Sequence, residues 1–349
     1  MTIHEKRKFI FTKFNYKIMS KNFWKNLKKP ILALAPMAGI TDSAFRELCC
    51  QNGADLVYTE MVSADGLHYD SKKTLELLKF SKKEKPIVVQ LFGKDPEKFI
   101  KATQMVTKLG FDGIDINFGC PAKKVVGHGG GVTLMRDLDL CYNIIKNVCD
   151  HTPLPVSLKI RSSINKSPQL NNKCGDKKDK SGKVTALDLI KKIKNLPITT
   201  IMIHGRSYEK PFMGEIDYEM VQKVKESFPG LVLANGNITN PEIAKETLEL
   251  TKADGLGLAR GLYGKPWLFT EIKDYLKNGK YKEKTWKQIK KVALQHAKLN
   301  YKSKGDHGII EMRKHLIFYT KGQKQAKEMR KDLVRGESIE DIKKIFKKY

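Results

Sequence analysis

The chain has 349 residues, 40% of them hydrophobic and 30% charged, enough to bury a sizeable core without a disulfide or metal staple. No apolar run reaches the ~18 residues of a membrane span, and the first residues lack the apolar stretch of a secretory signal. The six cysteines form no CxxC pair and no histidine cluster accompanies them. No membrane partner and no metal are therefore expected, and a reducing, cytoplasmic interior is. The net charge is +28, and the excess sits at the two ends of the chain.

In chain order, residues 1–30 carry nine basic side chains and one acidic. They read as a basic N-terminal arm, partly disordered. The segment MSKNFWKNLKK from Met19 looks like a more usual start, which leaves residues 1–18 as an upstream extension or a basic arm. β-rich apolar runs then begin at Ile31, Asp55, Pro86, Asp112, Pro155, Thr199, Leu231 and Ala253. A helix-period segment follows each, for example Pro96–Leu109, Ala186–Leu196 and Pro241–Leu250. Strands that read as continuous apolar runs are buried on both faces. Eight βα units over residues 31–269 predict an α/β fold, a closed (β/α)₈ TIM barrel. An open doubly wound sheet has fewer strands and a Gly-rich turn after the first, which is absent here.

Two stretches break the rhythm. Residues 162–183 are polar, rich in Asn, Lys and Gly, and read as a long mobile loop after the fifth strand. Residues 270–349 show only helical periodicity and carry 23 basic against 10 acidic side chains. They predict a C-terminal all-helical domain of three or four helices. Basic excess at both ends of a chain attracts polyanions, nucleic acid first among them. A lysine-rich genome that decorates every surface would give the same count.

In a barrel, ligands bind at the carboxyl ends of the strands. Five polar residues stand inside those last turns: Gln90, Asn117, Lys159, His204 and Asn235. Each alone would read as a satisfied structural group. Together they point to one ligand site. The sequences NGNI and LARGLYGKPW after the last two strands supply backbone N–H groups, helix starts and Arg260, a phosphate-binding combination. The alternative there is a left-handed turn with an arginine on its surface. Cys120 lies in a Gly-Cys-Pro turn past the fourth strand, followed by the Gly-rich AKKVVGHGGGVTLMRD, which reads as a flexible loop closing over a ligand. No partner base is legible beside Cys120, so an acid role is favoured over covalent chemistry. Cys141 and Cys149, on a predicted helix, read as packing.

These motifs together resemble one family. APMAGITD with AFRELC, GADLVYTEMVSA, QLFG, GFDGIDINFGCPAKKVV with GHGGG, LKIR, IHGR, NGNI, LARGLYGKPWLF and the C-terminal EMRKHLIFYTKG are similar to the tRNA-dihydrouridine synthases over about residues 31–340. The overall pattern looks most like the bacterial B-type branch. The resemblance implies an FMN-binding barrel and a tRNA-binding helical domain over 270–349; a monomer is expected, though no motif fixes the oligomeric state. It also implies reduction of uridine to 5,6-dihydrouridine in tRNA, with NADPH or NADH as electron donor. By the same resemblance Pro36, Met37 and Ala38 would pass under the FMN ring, Gln90 would bond its pyrimidine edge, and Lys159 would lie near N1 and O2. Asn235, Gly236, Asn237, Ala259 and Arg260 would hold its phosphate. Asn117 and His204 would face substrate or flavin near the reacting carbon. Hydride would pass from flavin N5 to uracil C6, and Cys120 would protonate C5. Two other readings remain: a dihydroorotate dehydrogenase-like FMN enzyme acting on a free pyrimidine, and a non-catalytic tRNA-binding protein. Residues 162–183 replace a shorter loop of the usual pattern.

Overall fold

A computed structural model describes residues 22–166 and 182–349. Among these, ten strands form: β1 Ile31–Leu34, β2 Leu56–Ser63, β3 Ile87–Phe92, β4 Gly113–Phe118, β5 Val156–Arg161, β6 Ser163–Asn165, β7 Lys183–Thr185, β8 Ile198–His204, β9 Leu231–Asn235 and β10 Gly255–Leu258. Eight of them close a parallel barrel in the order β1-β10-β9-β8-β5-β4-β3-β2. These are the eight apolar runs of the sequence, and the expected TIM barrel is the fold. The helices between them start on side-chain caps. Asp42 accepts from the Phe45 N–H, Asp137 from Leu140, Asp217 from Met220 and Asn240 from Ile243. Each cap satisfies a backbone donor that the first helical turn leaves unpaired.

The amino end of the barrel is plugged by an apolar side chain. A short 3₁₀ turn, Phe23–Asn26, inserts Trp24 against Ile31, Ala33, Leu56, Tyr58, Val88, Met202 and Leu233. Residues 22–30, expected as part of a charged arm, thus form the barrel's floor; residues 1–21 lie outside the described residues. Three aspartates pin the strand starts. Asp55 accepts from Leu32 N–H, Asp112 from Ile87 and Asp254 from Val232, each at 2.8 Å. Each is paired with lysine: Lys273 at 2.5 Å, Lys85 at 3.1 Å, and both Lys225 and Lys29 at 2.7 and 2.6 Å.

The long loop expected over 162–183 is different at its edges. β6 and β7 pair antiparallel, with Ile164 opposite Val184, and both of these side chains are buried. Residues 167–181 of that loop lie outside the described residues.

The expected division at residue 270 falls inside the helix Leu268–Asn278, whose Leu268, Phe269 and Ile272 belong to the barrel core. Four helices follow: Trp286–Lys304, Asp306–Tyr319, Ala326–Leu333 and Ile339–Lys348. They have a core of their own, with Ala293, Ala297, Met312, Leu316, Met329, Leu333, Ile342 and Phe346 around Trp267. The seam with the barrel is part polar. Lys304 bridges Asp42 at 2.7 Å and Glu311 at 2.6 Å, and Gln295 donates to Gln51 at 2.6 Å. Phe45 packs against His296 and His315.

Candidate functional site

The carboxyl end of the barrel carries a different set of polar groups. Side chains alternate along a strand, so Asp115 and Asn117 share one face of β4, and Ser157 and Lys159 share one face of β5. The register sets Gln90 beside Asp115, Asp115 beside Ser157, and Asn117 beside Lys159. Gln90 donates to Asp115 at 2.7 Å and accepts from Asn117 at 2.9 Å. The Asn117 carbonyl then accepts the N–H groups of Gly119 at 3.1 Å and Cys120 at 2.9 Å. On the other side Lys159 donates to Asn235 at 3.0 Å, and Asn235 donates to the Gly257 carbonyl at 2.6 Å. Gln90, Asn117 and Cys120 are thus one connected group, and Lys159 and Asn235 another.

His204, Asn235, Gly236, Asn237, Ala259 and Arg260 line a cleft of about 220 Å³. Its floor needs small residues. A side chain at Gly236, where φ is +130°, would begin 2.7 Å from Ile216, and one at Gly261 would begin 2.0 Å from the Ile238 carbonyl. Arg260 is exposed at the rim, 5.4 Å from the Phe212 ring. Pro36, Met37 and Ala38 follow β1, whose end is tied to β10 by the Ala35 N–H on the Leu258 carbonyl at 2.8 Å.

The electrostatics are one-sided. Burial pushes the His204 imidazole down to about 2, with help from Lys159, Arg161, Arg206 and Arg260, so it is neutral. Burial, then Arg161, brings the Lys159 ammonium down to about 8. Burial raises the Cys120 thiol, against the pull of Ala122's N–H, Lys159 and Arg161; it is protonated at neutral pH. Burial also raises Asp115 to about 6, against the hydrogen bonds of Ser157 and Gln90 and the charge of Lys159. Among the described residues, His204 Nδ1 and Arg206 Nη1 are buried without a hydrogen-bond partner. A cleft with a crowded glycine floor, four cations around it and an unpartnered arginine N–H beside it fits a phosphate-bearing ligand such as FMN.

The sequence reading passed over three residues. Asp115 is fully buried inside the barrel; its signal was the alternation in Ile114-Asp115-Ile116-Asn117. Arg161 donates to the Gly119 carbonyl at 2.8 Å and to Ser207 at 3.1 Å, bracing the Cys120 turn. Arg206 donates to the Gly214 carbonyl. Both arginines stand in the motifs LKIR and IHGR. The Gly-rich segment expected as a flexible loop is instead a short helix, Lys123–Gly127, and a 3₁₀ turn, Gly131–Arg136. It covers a second cavity of about 390 Å³, lined by Ser63, Phe92, Lys94, Lys124 and His128. Cys141 is buried and its thiol bonds the Leu134 carbonyl, as a packing residue does.

Fold and site together define a (β/α)₈ barrel protein with a cationic ligand site at the carboxyl ends of its strands. Comparison makes this specific. The family model for dihydrouridine synthase (Dus) matches residues 33–348. The tRNA-dihydrouridine synthase B of Pseudomonas aeruginosa is 35% identical over 301 residues, 86% of each chain. That of Vibrio vulnificus is 34% identical over 302 residues, 86% of this chain and 89% of the relative. A probable tRNA-dihydrouridine synthase of Rickettsia conorii is 35% identical over 305 residues, 86% of this chain and 87% of the relative. The chain belongs to the dihydrouridine synthase family of oxidoreductases, whose substrate is tRNA.

Among solved structures, 6-hydroxypseudooxynicotine amine oxidase of Pseudomonas geniculata aligns with TM-score 0.51 at 13% identity, over 70% of this chain and 47% of that one. Histamine dehydrogenase of Rhizobium sp. 4-9 aligns with TM-score 0.50 at 11% identity, over 77% and 48%. These likenesses concern the fold, and this chain spans about half the length of those proteins. Among the described residues no helix is long and apolar enough to cross a membrane, and no group of three or more His, Cys, Asp or Glu is placed to hold a metal ion.

Proposed function

We propose that this chain reduces uridine to 5,6-dihydrouridine in tRNA, with FMN as cofactor, NADPH as electron donor and Cys120 as the acid. The observation that carries the reading is the pairing of a protonated thiol, held in a braced turn, with a cationic glycine-floored cleft at the same barrel end. Asn235, Gly236, Asn237, Ala259 and Arg260 would hold the FMN phosphate by backbone N–H groups and a charge-assisted contact. Gln90 and Lys159 would bond the pyrimidine side of its ring, with Pro36, Met37, Ala38 and His204 completing the wall. When bound, FMN would supply the hydride that C6 of the uracil receives.

Residues of the chain supply the rest. Asn117 faces the substrate and anchors the Cys120 turn. Cys120 Sγ holds the proton that C5 requires; burial keeps it on the sulfur at working pH. A uracil stacked in a folded tRNA is out of reach, so the target base is flipped into the mouth. The four helices beyond Asn278, in a segment with 23 basic and 10 acidic residues over 270–349, would hold the tRNA backbone by phosphate contacts. Free thiols at Cys49, Cys50, Cys120, Cys141 and Cys149 suit a reducing cytoplasm.

Site-resolved dihydrouridine mapping in tRNA from cells lacking the gene tests the reading. Loss of dihydrouridine at a defined tRNA position is the expected result. An unchanged map, with no other synthase of overlapping specificity in the cell, would overturn it.

A further inference from the structure

The mechanism above leaves one buried ionisable group unused. Asp115 lies inside the barrel, fully buried, two positions before Asn117 on the same face of β4. It accepts from Ser157 Oγ at 2.6 Å and from Gln90 Nε2 at 2.7 Å. The groups that face it are Ser157 and Lys159 from β5, Gln90 from β3 and Tyr58 from β2.

We propose that Asp115 is the positioning residue of the Cys120 turn, acting through Gln90 and Asn117 as a one-way hydrogen-bond relay. The reason is polarity. An amide side chain has a donor end and an acceptor end that are nearly equal in shape. An ionised carboxylate only accepts, so Gln90 must turn its NH₂ to Asp115. Its carbonyl then faces Asn117 and must receive the Asn117 NH₂, at 2.9 Å. That leaves the Asn117 carbonyl pointing at the turn, where the N–H groups of Gly119 and Cys120 only donate. Carboxylate at one end and peptide N–H groups at the other agree on a single direction. With a neutral amide in place of the carboxylate, Gln90 and Asn117 are free to invert. The inverted Asn117 would set its NH₂ against two N–H groups, and the turn would lose both bonds.

The inference rests on the proposed acid role of Cys120 only for its consequence in turnover; its test reads the turn itself. Full-length protein with saturating FMN is treated with iodoacetamide, and alkylation of the Cys120 peptide is followed by mass spectrometry. Asp115→Asn is expected to raise the Cys120 rate about tenfold, by opening the turn more often. Asn117→Ala should raise it at least as much, and Asp115→Asn should add nothing in that background, because the two act in series. Ser157→Ala leaves the Gln90 bond to Asp115 intact and should stay within about twofold of wild type. Should Asp115→Asn fail to fold, Gln90→Met breaks the same relay one link on. It should give the same rise, again without effect beyond Asn117→Ala. Multiplicative effects of Asp115→Asn, or of Gln90→Met in its place, with Asn117→Ala would overturn the relay, as would an unchanged rate in the single variant or an equal rise in Ser157→Ala. Because alkylation needs no turnover, the relay can fail while the enzymatic reading stands, and the reverse.

Discussion

The two ends of the barrel use the same strands and opposite chemistry. At the amino end, three aspartates each accept a neighbouring strand's N–H and each meet lysine, and Trp24 fills the floor. Each of those three carboxylates is answered within the fold. At the carboxyl end Lys159, Arg161, Arg206 and Arg260 act together on His204, with Asp115 as the buried counter-charge beneath them. Positive charge in excess of its partners is a cost in stability that a bound anion relieves. One end therefore stabilises the barrel and the other keeps its polar groups for a ligand.

Damage at the two ends should read out in different measurements. Trp24→Ala removes a side chain that is 3% exposed, and should cost about 3–5 kcal/mol of stability in urea unfolding. FMN affinity of the folded variant should be unchanged; a weaker flavin site would mean that the ends are coupled.

The seam between barrel and tail gives the next effect. Burial holds His296 well below its ordinary value and His315 down to about 4; Lys304 and Lys314 add to both and His315 adds to His296, while Asp42 opposes in both and Glu311 opposes at His315. The unfolded chain takes up protons below about pH 6.5 that the folded seam refuses, so stability is present above that pH and lost as pH falls. At about pH 5 the loss from His315 should reach about 2 kcal/mol, and His296 acts in the same direction. Asp115, raised to about 6, works in the opposite direction over the same range, because the folded state holds its proton more tightly. Melting temperatures between pH 7.5 and 5 should fall in wild type and fall less in His315→Phe; parallel profiles would contradict the assignment.

Arg260→Ala should act only at the carboxyl end. Its side chain is exposed, so stability should shift by no more than about 0.5 kcal/mol. FMN binding should weaken about tenfold to a hundredfold, through loss of a charge-assisted phosphate contact. Fluorescence titration with FMN measures it, and wild-type affinity would place the phosphate elsewhere.

The barrel was legible because its strands are apolar on both faces and read as uninterrupted runs such as Ile87-Val88-Val89. The strand-end amides and Lys159 were legible as departures from those runs. Asp115 was not, because inside a strand it read as part of the motif rather than as a buried charge. The β6–β7 pair is three residues on each side, too short to build a periodic signal. Trp24 was hidden by its company: lysines on both sides of Phe23-Trp24 set the composition of the segment, while packing set its place. The break at 270 followed the loss of strand signal, yet Phe269 and Ile272 still face the barrel. Composition locates the change of class and burial locates the domain.

The central claim is that the Cys120 thiol gives C5 its proton. Single-turnover oxidation of the reduced, FMN-loaded protein by unmodified tRNA tests it most directly, wild type against Cys120→Ala. The account predicts equal FMN and tRNA binding and a rate of flavin reoxidation lower by about 10²–10⁴-fold, the share of a positioned general acid. Reoxidation of Cys120→Ala by tRNA at the wild-type rate would contradict it.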